Sequence, residues 1–133
     1  MSESIDTIRA DLWEKMRGGK SGREAFAATH LSANIAAQIQ TIREQRGWTK
    51  KELAERAGIF PSRISVMEDP SYEKYSLTTL RRLASTFDVA LITRFIPFSE
   101  LVDWVADLSP EKMGTEPFER DHLLQQNTER VDR

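Results

Sequence analysis

The stretch WTKKELAERAGIFPSRISVME, Trp48–Glu68, decides how this chain folds. It reads as two short helices around a tight turn. Thr49 can cap the first helix, and Glu52 can complete a capping box, in which side chain and backbone satisfy each other's open amides. Leu53, Ala54 and Ala57 supply an apolar face at helical spacing. Gly58 stands where a left-handed residue commonly ends a helix. Pro61 opens the second helix at a position that needs no N–H. Ile64 and Met67 can face inward with Val66 flanking them, which leaves Ser62, Arg63 and Ser65 facing outward.

Outward from this stretch, the pattern stays helical. Ser4 can cap a helix over residues 5–17, with Ile5, Ile8, Leu12, Trp13 and Met16 on one stripe. A lone helix of that length is marginal in water and must pack on something. Residues 18–22 form a glycine-rich break. Its Gly19-Lys20-Ser21 is not a phosphate-binding loop, because Glu14 stands where that motif needs its first glycine, and a helix precedes it in place of a strand. Ser21 and Glu24 offer a second capping box. A helix then continues to Arg46, with a joint expected near Ser32 and Phe26, Leu31, Ile35, Ile39 and Ile42 as its apolar stripe. Beyond Glu68 comes a polar loop. Ser76 can cap a helix whose Leu77, Leu80, Leu83, Ala84 and Phe87 face the core. Residues 89–97, VALITRFIP, alternate as a strand does. A single strand cannot satisfy its own edges, so Ala90, Ile92 and Phe95 are expected at a dimer edge, paired with the same strand of a second copy. Ser99 can cap a short helix carrying Leu101, Val102, Trp104 and Val105. The remainder is polar and acidic and reads as a mobile tail or loosely docked arm.

Composition narrows the function. The 133 residues suit one domain with extensions, and the net charge of −2 does not by itself point to a partner. Its distribution does. Residues 1–31 carry five basic and five acidic side chains, residues 32–94 carry ten and seven, and residues 95–133 carry four and nine. The middle is therefore basic and the end acidic. With no cysteine there is no disulfide framework and no thiolate metal site, which fits a reducing cytosol. His30 and His122 are too isolated to suggest a metal centre, and no metal or cofactor is expected. No nucleophile–base pair is evident, so an enzyme is not expected. No apolar run approaches a membrane span, and no signal-peptide segment opens the chain; a cytoplasmic, nucleoid-associated protein is expected.

A helix, a glycine turn and a second helix with a polar, basic outer face form the pattern of a helix-turn-helix. Residues from about Ile35 to Phe95 resemble the lambda-repressor-like family, also called the Cro/C1 or xenobiotic-response-element type. The resemblance rests on IREQRGWTKKELAERAGI, then SRISVME, then SLTTLRRLA. It implies a mainly α fold: five helices around a small core, here with an N-terminal helical extension and one C-terminal β-strand paired across a dimer. The corresponding division is residues 1–31 as extension, 32–96 as the DNA-binding domain and 97–133 as a short helix and acidic tail. The extension and the DVALITRFIPF segment resemble a subgroup of small prokaryotic regulators, some of them antitoxins. The family also implies that Arg43 pairs with Glu68. A charge partly buried there needs a partner on physical grounds as well.

The implied function is sequence-specific binding of double-stranded DNA by a dimeric transcriptional regulator, a repressor. The alternative is an antitoxin that binds both a toxin protein and its own promoter. In either, Arg63 is the leading base reader, because its fork can bond a guanine bidentately. Ser62 and Ser65 can reach a base or a phosphate. Lys50, Lys51 and the amides of the first helix's start would hold one phosphate strand, with Arg46, Tyr72, Lys74 and Ser76 on its flank. Lys50 and Pro61 stand where relatives often carry glutamine, and Phe60 replaces a small capping residue. Pro61 cannot donate, so Phe60 or Pro61 would offer only an apolar edge to a thymine methyl. Each residue also has a plainer reading. Lys50 and Lys51 suit a solvated face, Tyr72 and Tyr75 suit loop packing, and Arg63 suits an exposed helix position without a ligand.

Overall fold

The computed structural model describes residues 2–107 and 112–123. Six α-helices follow in order: α1 Ser2–Arg17, α2 Lys20–Gln45, α3 Lys50–Ala57, α4 Pro61–Met67, α5 Leu77–Phe87 and α6 Phe98–Ala106. A 3-10 turn, Phe118–Arg120, comes last. The architecture is mainly α and suits a helix-turn-helix.

Local signals place the central helices. The Thr49 hydroxyl accepts the Glu52 N–H at 3.0 Å, and the Glu52 carboxylate accepts the Thr49 N–H at 3.3 Å, so the capping box is closed. Gly58 takes the left-handed conformation, φ 70° and ψ 35°. The Ile59 N–H can then reach back to Ala54 O at 3.0 Å and seal the end of α3. Pro61 sits at the start of α4. The Ser76 hydroxyl accepts the Thr79 N–H and caps α5. Elsewhere the helices start two or three residues earlier than expected, a margin common where caps are weak. Ser4, Ser21 and Ser99 lie inside α1, α2 and α6, whose caps are other residues or lie upstream. The Ser21–Glu24 capping box does not form, because α2 already starts at Lys20 behind Gly19.

Two apolar cores result. Ile39 and Ile42 of α2, Leu53, Ala54 and Ala57 of α3, Ile64 and Met67 of α4, and Leu83 and Phe87 of α5 form the larger one. Trp48 stacks on Phe87 with ring centroids 6.2 Å apart and closes its side. Leu12 and Met16 of α1 and Val102 and Ala106 of α6 form the smaller one, with Phe26 of α2 packed against it. Arg23 ties this corner together. Its guanidinium donates to Met16 O at 3.1 Å and lies 5.9 Å from the Phe98 ring centroid. Since α2 contributes to both cores, it joins them as one continuous rod. No joint interrupts it at Ser32, which is buried.

Several expectations change. The helix-turn-helix core is built from four helices, not five, because α6 packs on α1 instead. The α1 and α6 helices bury Leu12 and Met16 against Val102 and Ala106, while Ile8 and Trp13 of the expected α1 stripe stay exposed. Ala90–Ile96 is not a β-strand and has no regular secondary structure, because a ladder needs a second extended segment alongside and the N-terminal segment is helical. Leu77 and Leu31, expected in the core, are largely exposed.

The acidic C-terminal region is partly docked. Met113 is buried, and the Phe118 N–H donates to Asp88 O at 3.1 Å. The Arg46 guanidinium bridges Thr115 O at 2.9 Å and Phe87 O at 3.0 Å. Residues 108–111 and 124–133, the rest of the expected tail, lie outside the described residues.

The buried Arg43–Glu68 pair links α2 to the end of α4, with Nε–Oε2 at 2.7 Å and Nη2–Oε1 at 3.0 Å. Glu68→Leu leaves the guanidinium buried without its carboxylate and should cost about 3–5 kcal/mol in urea unfolding, whereas Arg43→Met with Glu68→Leu should recover most of that loss. Equal losses in the single and double variants would contradict the pairing as the source. Arg46→Ala should release the C-terminal segment at a cost of about 1 kcal/mol, seen as faster hydrogen exchange at the Phe118 amide with exchange in α3 and α4 unchanged.

Candidate nucleic-acid interface

The inner side of α4 is held from three directions. Ile64 and Met67 are almost fully buried in the larger core. Glu68, at its C-terminal cap, is gripped by Arg43. Arg43 also donates Nη1 to Trp48 O at 2.8 Å, so the same guanidinium fixes the turn that leads into α3. The hydrogen bonds that Arg43 donates to the Glu68 carboxylate raise the Arg43 pKa above its ordinary value against the opposing effect of burial. The helix therefore has one orientation, and its other side faces solvent.

That outer side carries Pro61, Ser62, Arg63, Ser65 and Val66, all exposed, with Phe60 at the N-cap. Phe60 is 75% exposed and Val66 47%. Val66, expected beside the core, faces outward instead. Its place three residues after Arg63 and four after Ser62 puts it on their face of the helix, a signal the sequence did contain. The Arg63 side chain has no partner among the described residues. No acidic residue lies within α4. Lys50 and Lys51, in the first turn of α3, are exposed as well, beside backbone amides that point outward from a helix start.

Other expected site residues are engaged elsewhere. Arg46 is turned to Phe87 and Thr115, and burial lowers its pKa from the ordinary value. The Tyr72 hydroxyl donates to Lys74 O at 2.9 Å within its own loop, and its ring meets Tyr75 edge-on with centroids 4.8 Å apart. The Tyr75 hydroxyl donates to Met67 O, and desolvation pushes its pKa up to about 12. These tyrosines hold the loop after α4 against the core. Asp69 shapes the same loop by accepting the Ser71 N–H and hydroxyl, which holds its carboxyl below the usual range. Ser76 is occupied as the cap of α5. Lys74 stays exposed. Ala90, Ile92 and Phe95 are exposed on the segment before α6, far from contributing to the α4 face in sequence, and Arg94 there pairs with Glu100 at 2.6 Å. Sequence reasoning did not see Arg56, whose guanidinium lies 4.5 Å from the Trp48 ring centroid and covers that side of the turn.

Chemically, the face offers one bidentate donor, two hydroxyls, an apolar edge at each end and two lysines on the neighbouring helix. It offers no nucleophile set against a base. Among the described residues no group of three or more potential metal ligands occurs, and no helix is long and apolar enough to cross a membrane.

Comparison with known proteins agrees with this geometry. Residues 34–94 match a family model described as a helix-turn-helix domain. Antitoxin HipB of Escherichia coli O6:H1 is 28% identical over 67 residues, which cover 50% of this chain and 70% of that protein. No solved structure matches the chain. The matched segment begins in α2 and ends in the segment before α6, so it contains the whole larger core and the α4 face, and over residues 34–94 the chain is similar to the helix-turn-helix domain.

Proposed function

We propose that this chain is a sequence-specific DNA-binding transcriptional regulator, a repressor acting as a dimer through the major groove. The observation that carries the reading is the α4 surface: a rigidly held helix whose exposed side has a free guanidinium, two hydroxyls and no acid. A duplex presents a polyanionic backbone around base edges rich in acceptors, and this surface complements both. Arg63 takes the base-reading role, with Ser62 and Ser65 beside it. Lys50 and Lys51 hold phosphates, and Lys74 lies in the loop that follows α4. Arg46, Tyr72 and Ser76 are left to structure. The functional division is the one expected from sequence, residues 1–31, 32–96 and 97–133, although α2 runs through the first boundary. The protein acts in the cytoplasm at the nucleoid, without catalysis and without a cofactor.

One such helix makes few base contacts, so two copies on a palindromic site are the natural arrangement. The segment before α6 supports this. Among the described residues its backbone has no ladder partner, and Ile92 and Phe95 are exposed. Two copies paired edge to edge would satisfy both. A second reading, an antitoxin that also binds a toxin protein, is favoured by the likeness to HipB. It is distinguished by whether a protein encoded beside this gene forms a stable complex with the chain.

Arg63→Ala should weaken binding to the selected operator by about 1–3 kcal/mol while changing stability by no more than about 0.5 kcal/mol. Lys50→Ala should instead lower affinity across sequences and reduce the salt slope by about 1. Mobility shifts at several salt concentrations separate the two, and undiminished binding by Arg63→Ala would refute its role. Ile92→Asp with Phe95→Asp should produce monomers in sedimentation and weaken operator binding; a dimer that persists would remove the segment from the interface.

A further inference from the structure

The side chains available on α4 limit which bases it can read, and we propose that it reads a guanine flanked by thymine methyl groups and has no bidentate readout of adenine. This rests on the DNA-binding reading above. Adenine is read bidentately by asparagine or glutamine, cytosine by a carboxylate, guanine by arginine or lysine, and the thymine C5-methyl by an apolar contact. From Phe60 to Val66 the exposed positions hold no asparagine, glutamine, aspartate or glutamate. Two of the four direct readouts are therefore missing from this helix.

The other two are present and ordered. Arg63 sits at the middle of the exposed face, and its guanidinium carries five donors and no acceptor, which suits guanine N7 and O6. Phe60 and Val66 stand on either side of it in the chain. At the rise of an α-helix, six residues span about 9 Å, roughly two to three steps of a duplex whose bases are stacked ~3.4 Å apart. The two apolar side chains thus bracket the arginine at a spacing of a few base pairs. Phe60 is 75% exposed with its ring against solvent, an arrangement that leaves apolar area unburied until something covers it. The charge around it selects the occupant. Arg63 beside it and Lys50 and Lys51 on α3 favour a polyanion over an apolar protein surface, and in the major groove the apolar group that a polyanion offers is a methyl at C5. Because the contact is to the methyl itself, 5-methylcytosine would satisfy it where thymine does.

The test uses the full chain and duplexes selected from a randomised pool. In the tightest duplex each thymidine is replaced in turn by deoxyuridine, which removes only the methyl, and binding is followed by fluorescence anisotropy at fixed salt. Burial of one such group corresponds to about a fourfold change in affinity. We expect that loss at positions on both sides of an enriched guanine. Phe60→Ala should abolish the sensitivity at one of them and Val66→Ala at the other, and both variants should keep the parent's circular dichroism. Replacing the sensitive thymidine by 5-methylcytidine, with guanine opposite, should bind more tightly than unmethylated cytidine there. A selected duplex indifferent to every deoxyuridine substitution, or one whose enriched bases are adenines sensitive to loss of N7, would overturn this inference while leaving DNA binding intact. A pool with no enrichment would overturn both this inference and sequence-specific DNA binding. Capture of a protein partner by the Phe60 face, with DNA binding unaffected by Phe60→Ala, would also overturn it.

Discussion

The Arg43 guanidinium is the constraint on which the arrangement depends. It reaches the Glu68 carboxylate in two hydrogen bonds and Trp48 O in a third, so one side chain of α2 fixes both the end of α4 and the turn into α3. Such a pair adds little net stability over well-packed apolar residues, since two charges must leave water to form it. What it contributes here is geometry. A seven-residue helix has too few core contacts to define its rotation unaided, and Ile64 and Met67 anchor only one side. With its C-terminal cap tied by a directional, two-pronged contact, α4 must present Phe60 to Val66 outward.

The second organising feature is the length of α2. One helix carries the basic central unit at its C-terminal end and receives α1 and α6 at its N-terminal end, so the two cores share a rigid element. The end of that rod is also where the C-terminal segment returns, through Arg46 to Thr115 and Phe87 and through the Phe118 amide to Asp88. A cation that sequence position placed beside the phosphates is in this way spent on chain packing. The cost of leaving Phe87 O unpaired at a partly buried helix end explains the choice.

The α4 face is unusual where its chemistry is most exposed. Proline at the first position of α4 helps the helix start and offers no donor to the surface. Phenylalanine at the cap leaves the helix start without a side-chain hydrogen bond and adds apolar area instead. The buried side of the stretch, with its cap, turn and inward residues, thus fixes the helices, while its outward side carries a separate inventory of donors and apolar contacts.

How much was legible in the sequence follows from the range of the interactions involved. Thr49 with Glu52, Gly58, Pro61 and Ser76 act within a few residues of themselves, so the sequence alone determined where α3, α4 and α5 begin or end and which of their faces is apolar. The exposed set on α4 was legible for the same reason, apart from Val66, whose helical spacing to Ser62 and Arg63 was outweighed by its apolar character. Periodicity cannot tell one partner from another. The pairing of α1 with α6, the continuity of α2 past Ser32, the diversion of Arg46 and Tyr72 from the candidate face, and the absence of a ladder along Ala90–Ile96 all turn on contacts between residues distant in the chain. Only the tertiary structure decided these, because burial and hydrogen-bond satisfaction are settled by whichever surface arrives, and a stripe of apolar or charged residues is compatible with several.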